Sequence, residues 1–219
     1  MSDVSSDDGL VLLRDVSWST YAELREQPAN DRVQMVFDKG NLYLMSPGKL
    51  HERIAELLGQ FVYAWTDARR IARLSGGSTT IKDALRDRGL EPDKCFYIQN
   101  EPAVRSKDTY DPAVDPPPDL VIEVDVTSIS KVKLPIYADF GVPEIWRWVE
   151  EELEVYRLKN GAYEPAKASN CLPNFPIEQA LAIVRERHQL DETTLVAKFR
   201  ESFSADGGED CLIADRDKN

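Results

Sequence analysis

Nine residues, Pro118-Asp119-Leu120-Val121-Ile122-Glu123-Val124-Asp125-Val126, narrow what this chain can become. β-Branched residues and leucine dominate, and polarity alternates with period two, so the stretch reads as a β-strand. Side chains two apart share a face. Leu120, Ile122, Val124 and Val126 therefore point into a core, and Asp119, Val121, Glu123 and Asp125 point the other way. Three carboxylates on one face repel one another and resist burial. Such a face is either the solvated side of an edge strand, or it is kept for a cation or a set of basic side chains.

The rest of the chain bounds that choice. At 219 residues, 42% hydrophobic and 30% charged, it is expected to be globular, with a real core. No apolar run approaches the roughly 20 residues of a membrane span, and Met1 to Asp8 is polar and acidic, unlike a signal peptide. Cys95, Cys171 and Cys211 show no CxxC spacing, which argues against a zinc site or a disulfide framework and fits a reducing cytoplasm. A net charge of −12 weighs against broad nucleic-acid affinity, which needs a basic patch.

Turn and cap signals divide the chain. Residues 1–8 read as disordered, residues 9–203 as one domain, and residues 204–219 as a disordered acidic tail. A strand or turn at Leu10 to Leu13 precedes a helix capped by Ser19 and ended by Pro28-Ala29-Asn30. Val33 to Met45 reads as a hairpin about Asp38-Lys39-Gly40. Ser46-Pro47 opens a helix whose buried stripe is His51, Ile54, Ala55, Leu58, Val62 and Trp65. His51 on that stripe is either a core histidine or a site residue. A strand region spans Ile71 to Ile81, residues 82–90 read as a charged loop, and a third strand enters through Glu91-Pro92-Asp93. Asp93 is a turn residue or a carboxylate at the mouth of that strand. After the acidic strand, Thr127 to Ser130 cap a helix with Lys131, Lys133, Ile136 and Tyr137, interrupted by Pro135 and closed by Gly141. A meander over Glu144 to Glu164 and two helices, from about Pro176 to Arg187 and from Asp191 to Phe203, complete the chain.

Asp93 at the start of one strand and Glu123 inside the next can together hold a divalent metal. Mg²⁺ accepts one or two carboxylates, keeps several waters and takes phosphate oxygens as further ligands. A nearby lysine can orient water and stabilise charge developing on phosphate. This is the chemistry of metal-dependent phosphodiester hydrolysis.

Met45-Ser46-Pro47 with His51, Glu91-Pro92-Asp93, Val121-Ile122-Glu123-Val124, and Tyr137-Ala138-Asp139-Phe140-Gly141-Val142-Pro143-Glu144-Ile145-Trp146 resemble the Uma-two family of restriction endonuclease-like proteins over roughly residues 15–200. Its membership of the PD-(D/E)XK nuclease superfamily implies an α/β (α+β mixed) restriction endonuclease-like core, a mixed central sheet flanked by helices. It also implies a Mg²⁺- or Mn²⁺-dependent endonuclease acting on DNA, as a homodimer. Asp93 matches the PD aspartate and Glu123 the second carboxylate, with the Val124 carbonyl beside them as a metal ligand. The signature lysine position holds Asp125, so the resemblance moves that role to Lys133, with Lys131 as fallback. Pro118-Asp119 is a second PD, ranked below Asp93, and His51 matches a recurrent histidine. The competing expectation is a non-catalytic binding or scaffold protein that keeps the fold and dimerises through the Trp146 and Trp148 meander.

Overall fold

A computed structural model describes residues 9–125 and 129–204. The expected disordered ends and the Val126, Thr127 and Ser128 positions lie outside them. The first described strand, β1 (Leu10–Leu13), leads into helix α1 (Trp18–Glu26). Ser17, not Ser19, caps α1, its side chain accepting from the Thr20 N–H at 3.1 Å. Pro28–Asn30 forms a 3₁₀ turn. The hairpin is β2 (Gln34–Asp38) and β3 (Asn41–Met45), with Asp38 opposite Asn41. Lys39 and Gly40 both take positive φ, the geometry that matches strand twist in a two-residue turn.

Helix α2 (Lys49–Arg69) begins later than Ser46-Pro47 suggests, with Gly48 as its cap. The expected stripe is buried in full, along with Leu57, Phe61 and Ala64. The expected strand region over residues 71–81 holds one strand and the start of a second, and residues 82–90 are less a loop than the sequence implies. Together these residues carry β4 (Leu74–Gly77), β5 (Ile81–Asp83) and β6 (Arg88–Leu90). Then follow β7 (Lys94–Tyr97), the short α3 (Glu101–Val104) and the acidic strand β8 (Leu120–Asp125). Helix α4 (Ser130–Phe140) ends at Gly141, whose φ of +79° closes it. The meander is β9 (Glu144–Val149), β10 (Glu152–Lys159) and β11 (Ala162–Ala166). Helices α5 (Ile177–Arg185) and α6 (Glu192–Ser204) finish the described chain. None of these helices is long and apolar enough to cross a membrane.

The strands form two sheets, in the orders β1-β3-β2-β6-β5 and β11-β10-β9-β8-β7-β4. The second is mixed: β8 runs parallel to β9 and antiparallel to β7. The fold is therefore the expected mixed α/β core, and the edge-strand reading of the acidic stretch is overturned. β8 lies inside the sheet, and all six of its residues are buried. Leu120, Ile122 and Val124 pack with α2, α5 and α6. Val121, with Cys95 and Ile145, packs under α4 and residues of the first sheet such as Val36, Ile81 and Leu90. Glu123 shares the face of Val121, so it is covered by α4. Trp146 and Trp148 also lie inside the α2 core, at 0% and 3% exposure. They cannot form the dimer surface proposed for them.

The first sheet is tied to α1 by an aromatic nest. Tyr21 stacks on Phe37 with ring centroids 4.9 Å apart, and Trp18 meets both edge-on. A Cβ on Gly89 would lie 2.3 Å from Tyr21 Oη and 2.7 Å from its Cε1. The Tyr21 ring is fully buried, stacked on Phe37 and met edge-on by Trp18, so it has little room to move aside. Gly89→Ala is expected to cost about 1–3 kcal/mol by overpacking. Thermal denaturation checks this, with a fall of about 2–4 °C for each kcal/mol at this chain length.

Candidate active site

The carboxylates reach one another through strand register. β7 and β8 pair Lys94 with Ile122 and Cys95 with Val121. Extended by one residue, that register sets Asp93 opposite Glu123, where facing side chains are close neighbours. Asp93 Oδ2 accepts the Val124 N–H at 2.6 Å, which stitches the two strands together at this point. Both carboxylates are buried.

Helix α4 supplies the basic partner. Lys133 and Tyr137 are four residues apart and so share a helix face. Lys133 Nζ lies 2.6 Å from Glu123 Oε2 and donates to the Glu91 carbonyl at 3.1 Å. The Tyr137 hydroxyl donates to the other Glu123 oxygen. From α2, His51 Nε2 lies 3.1 Å from Asp93 Oδ2, an ion-pair distance, and neither ring nitrogen, both buried, makes a hydrogen bond of good geometry. From β2, Gln34 Nε2 donates to Asp93 Oδ1 at 2.7 Å. A cavity of about 630 Å³ opens onto Asp93, lined among others by Gln34, Ser46, Glu52, Glu91 and Lys94.

Electrostatics separate the two acids. Burial pushes Glu123 up to about 7, and the Asp93 charge adds to that push against the opposing pull of Lys133 and Tyr137. Burial also works on Asp93, but Lys133, His51 and the Val124 N–H overcome it and bring Asp93 down to about 2. One lysine thus serves two carboxylates. Lys133 itself is held above its ordinary value: burial opposes this, but Glu123 and Asp93 prevail. His51 is raised too, against its own burial, by Asp93.

The structure thus brings together Asp93, Glu123, Lys133 and His51, and separates the other candidates from them. Lys131 is exposed, beside Leu134 and Tyr163. Asp119 accepts the N–H groups of Ile98 at 2.6 Å and Asn100 at 2.9 Å, which pins the loop after β7. Asp125 accepts from Ser130 and from Arg147 of β9. Each carboxylate of the acidic face is therefore buried with a partner of its own. Val124 contributes its N–H here, and its side chain belongs to the core.

Sequence reasoning missed Tyr137, Gln34 and the role of Glu91 as site residues. The i, i+4 spacing from Lys133 was the available signal for Tyr137. A lone amide sharing a strand face with Val36 was the signal for Gln34. Glu91 had none beyond its position next to Pro92-Asp93. Its carboxylate accepts from Arg25 at 3.1 Å, the Met35 N–H at 3.1 Å and Thr80 at 2.9 Å, which ties the first sheet to the site.

The donor set fits a hard cation that keeps most of its water. Among the described residues, no three His, Cys, Asp or Glu side chains converge into a ready-made cage. Two facing carboxylates meet the needs of Mg²⁺, which binds through one or two.

A comparison with curated proteins finds no match. Among solved structures, a crystal structure described as a "putative nuclease belonging to DUF820", from Anabaena variabilis ATCC 29413, aligns with 16% identity and a TM-score of 0.52. The alignment covers 84% of this chain and 99% of that one, and at this identity the likeness concerns the fold. The Uma2 family model, described as "Putative restriction endonuclease", matches residues 18–197, most of the chain, and the chain therefore belongs to the Uma2 family.

Proposed function

We propose that the chain is an endonuclease that hydrolyses DNA phosphodiester bonds with Mg²⁺ or Mn²⁺ held by Asp93 and Glu123, and that Val124 adds its main-chain carbonyl. The observation that carries this reading is Lys133 Nζ 2.6 Å from Glu123, on a strand whose register with β7, continued by one residue, sets Asp93 opposite Glu123. A bound cation supplies Lewis-acid polarisation of the phosphoryl oxygen and acidifies the attacking water. The chain's own groups do the rest. An ammonium has three donors. Lys133 uses one on Glu123 and one on the Glu91 carbonyl, which leaves the third for a water or a phosphate oxygen. Tyr137 fixes the second Glu123 oxygen. Val124, Gln34 and His51 hold Asp93 from three directions. Cutting both strands of a duplex with one such site per chain calls for two copies. The buried free thiols of Cys95 and Cys171 suit a reducing cytoplasm.

One observation favours a second reading, a non-catalytic binding protein that retains the nuclease fold. Both Glu123 oxygens are already engaged, by Lys133 and Tyr137. Incubation of supercoiled plasmid and a single-stranded oligonucleotide with Mg²⁺, then Mn²⁺, separates the two. The nuclease reading expects metal-dependent cleavage that disappears in Glu123→Ala. Equal traces of cleavage by both proteins indicate a contaminating nuclease, and none by either, with no Mn²⁺ bound in calorimetry, supports the second reading.

A further inference from the structure

A second cavity, of about 310 Å³, lies between β4 and the loop that follows α3. Tyr97 and the half-buried Tyr110 line it, with ring centroids 6.5 Å apart. Its polar lining includes Ser75, Lys107, Asp108 and Thr109. Among the described residues, neither tyrosine hydroxyl has a hydrogen-bond partner, and neither has the Asp108 carboxylate. A hydroxyl donates and accepts, and an ionised carboxylate accepts. The lining carries Asp108 and Asp115 against the single positive charge of Lys107, which disfavours a phosphate as occupant. A neutral heteroaromatic ring with donors and acceptors at its edge, a nucleobase, suits this mixture of aromatic and polar groups.

The cavity adjoins the candidate active site. Gly76 and Thr79 line both it and a groove bordered by Ser78 and Glu91, and those two residues also line the 630 Å³ cavity that opens onto Asp93. Tyr97 lies four residues beyond Asp93, at the end of β7, a rise of about 13 Å. Over that length a strand at about 3.4 Å per nucleotide carries about four nucleotides. The ridge between the cavities is the end of β4, which bulges between Ser75 and Gly77. Gly76 lets it sit close on β7, since a Cβ there would lie 2.6 Å from Cys95 Sγ. A bulge bends its strand, and here it lowers the wall between the two cavities.

We propose that this cavity takes an unstacked base of the substrate strand, while a phosphate of that strand, about four nucleotides away or nearer, enters the Asp93 cavity. Tyr110 stacks on the base, and the two hydroxyls and Asp108 meet its edge. The substrate is then a nucleic acid with an unpaired or extruded base near the cut. The placing of the phosphate rests on the nuclease reading, and the base site does not.

Binding of a short, mixed-sequence, single-stranded DNA to the full chain, with no divalent metal present, tests this. Tyr110→Ala is expected to bind about 10- to 100-fold more weakly than wild type, the loss that accompanies one base–aromatic stack. Tyr110→Phe, which keeps the ring, is expected to stay close to wild type. Tyr110→Leu gives the same comparison as Tyr110→Ala should that variant not fold. An oligonucleotide of equal length built wholly of abasic units is expected to bind wild type and Tyr110→Ala equally. Equal affinities for the base-bearing strand overturn the proposal, as does a difference that persists on the abasic strand, because Tyr110 then meets the backbone. A wild type that binds no single strand overturns it too. A chain that passes both binding tests and cuts nothing with Mg²⁺ or Mn²⁺ keeps the base site and contradicts the nuclease reading alone.

Discussion

Lys133→Met is expected to lower folding stability by about 3–5 kcal/mol near pH 8 and by much less near pH 5. The lysine is buried against Glu123, and its removal leaves a carboxylate with no cation in contact. Glu123 already lies at about 7 in the folded chain, above its ordinary 4.5. A carboxyl raised on folding binds its proton more tightly when native, so its ionisation costs stability as pH climbs from 4.5 through about 7. Lys133 opposes that rise, so its loss moves Glu123 higher still and widens the window. At about pH 5 the variant keeps Glu123 neutral at little cost. Denaturant titrations of both proteins at the two pH values measure the difference, and an equal loss at both would contradict it. Removing both partners, as Lys133→Met with Glu123→Gln, is expected to restore most of the stability, because no buried charge is then unpaired. Under the nuclease reading, cleavage by Lys133→Met falls by about 100-fold or more.

The second large effect lies away from the site. Glu144 is fully buried, yet no cation contacts it among the described residues. Its carboxylate instead accepts from the Trp146 indole at 2.8 Å, the Ser169 hydroxyl at 2.5 Å, and the N–H groups of Asn170 at 2.6 Å and Cys171 at 3.3 Å. One side chain thus fixes the start of β9 and the 169–171 loop. Glu144→Ala leaves three buried donors, Trp146, Ser169 and Cys171, without this acceptor, at an expected cost of about 3–4 kcal/mol. At this chain length that is a drop of about 10 °C in melting temperature. Glu144 pairs with Leu120, three residues along β8 from Glu123, and makes no hydrogen bond to the Asp93–Glu123 cluster. A melting temperature within about 2 °C of wild type would contradict the clamp.

That clamp explains why Gly141-Val142-Pro143-Glu144-Ile145-Trp146 was the most legible segment of the chain. Gly141 supplies the left-handed helix end, and Glu144 and Trp146 bond to each other. Local chemistry of this kind is written in adjacent residues. Asp93, Glu123 and Lys133 were legible for a related reason: strand and helix periodicity place them, and register then brings them together. The alternation of β8 was legible, but its position in the sheet was not. Period two says which residues share a face. It does not say that Arg147 of β9 will neutralise Asp125, or that helix α4 will cover Glu123. The carboxylates were read as resisting burial because their partners lie on elements whose contacts no local pattern encodes. Glu91 and Gln34 were missed on the same ground, as both act between the two sheets.

The Gln34–Asp93 bond joins residues 59 apart in the chain, Lys133 reaches back 42 residues to Glu91, and Asp93 meets Val124 across 31. No short fragment contains this cluster, whose members run from Gln34 to Tyr137. Contacts of such separation close after local structure has formed, because loop entropy must be met first. A chain emerging from the ribosome amino-terminus first presents β2, α2 and β7 long before α4. Until α4 arrives, Glu123 has neither Lys133 nor Tyr137, and the pair of acids has no lysine between them. Under the nuclease reading, a chain that stops before α4 lacks Lys133 and Tyr137 and cannot complete the site.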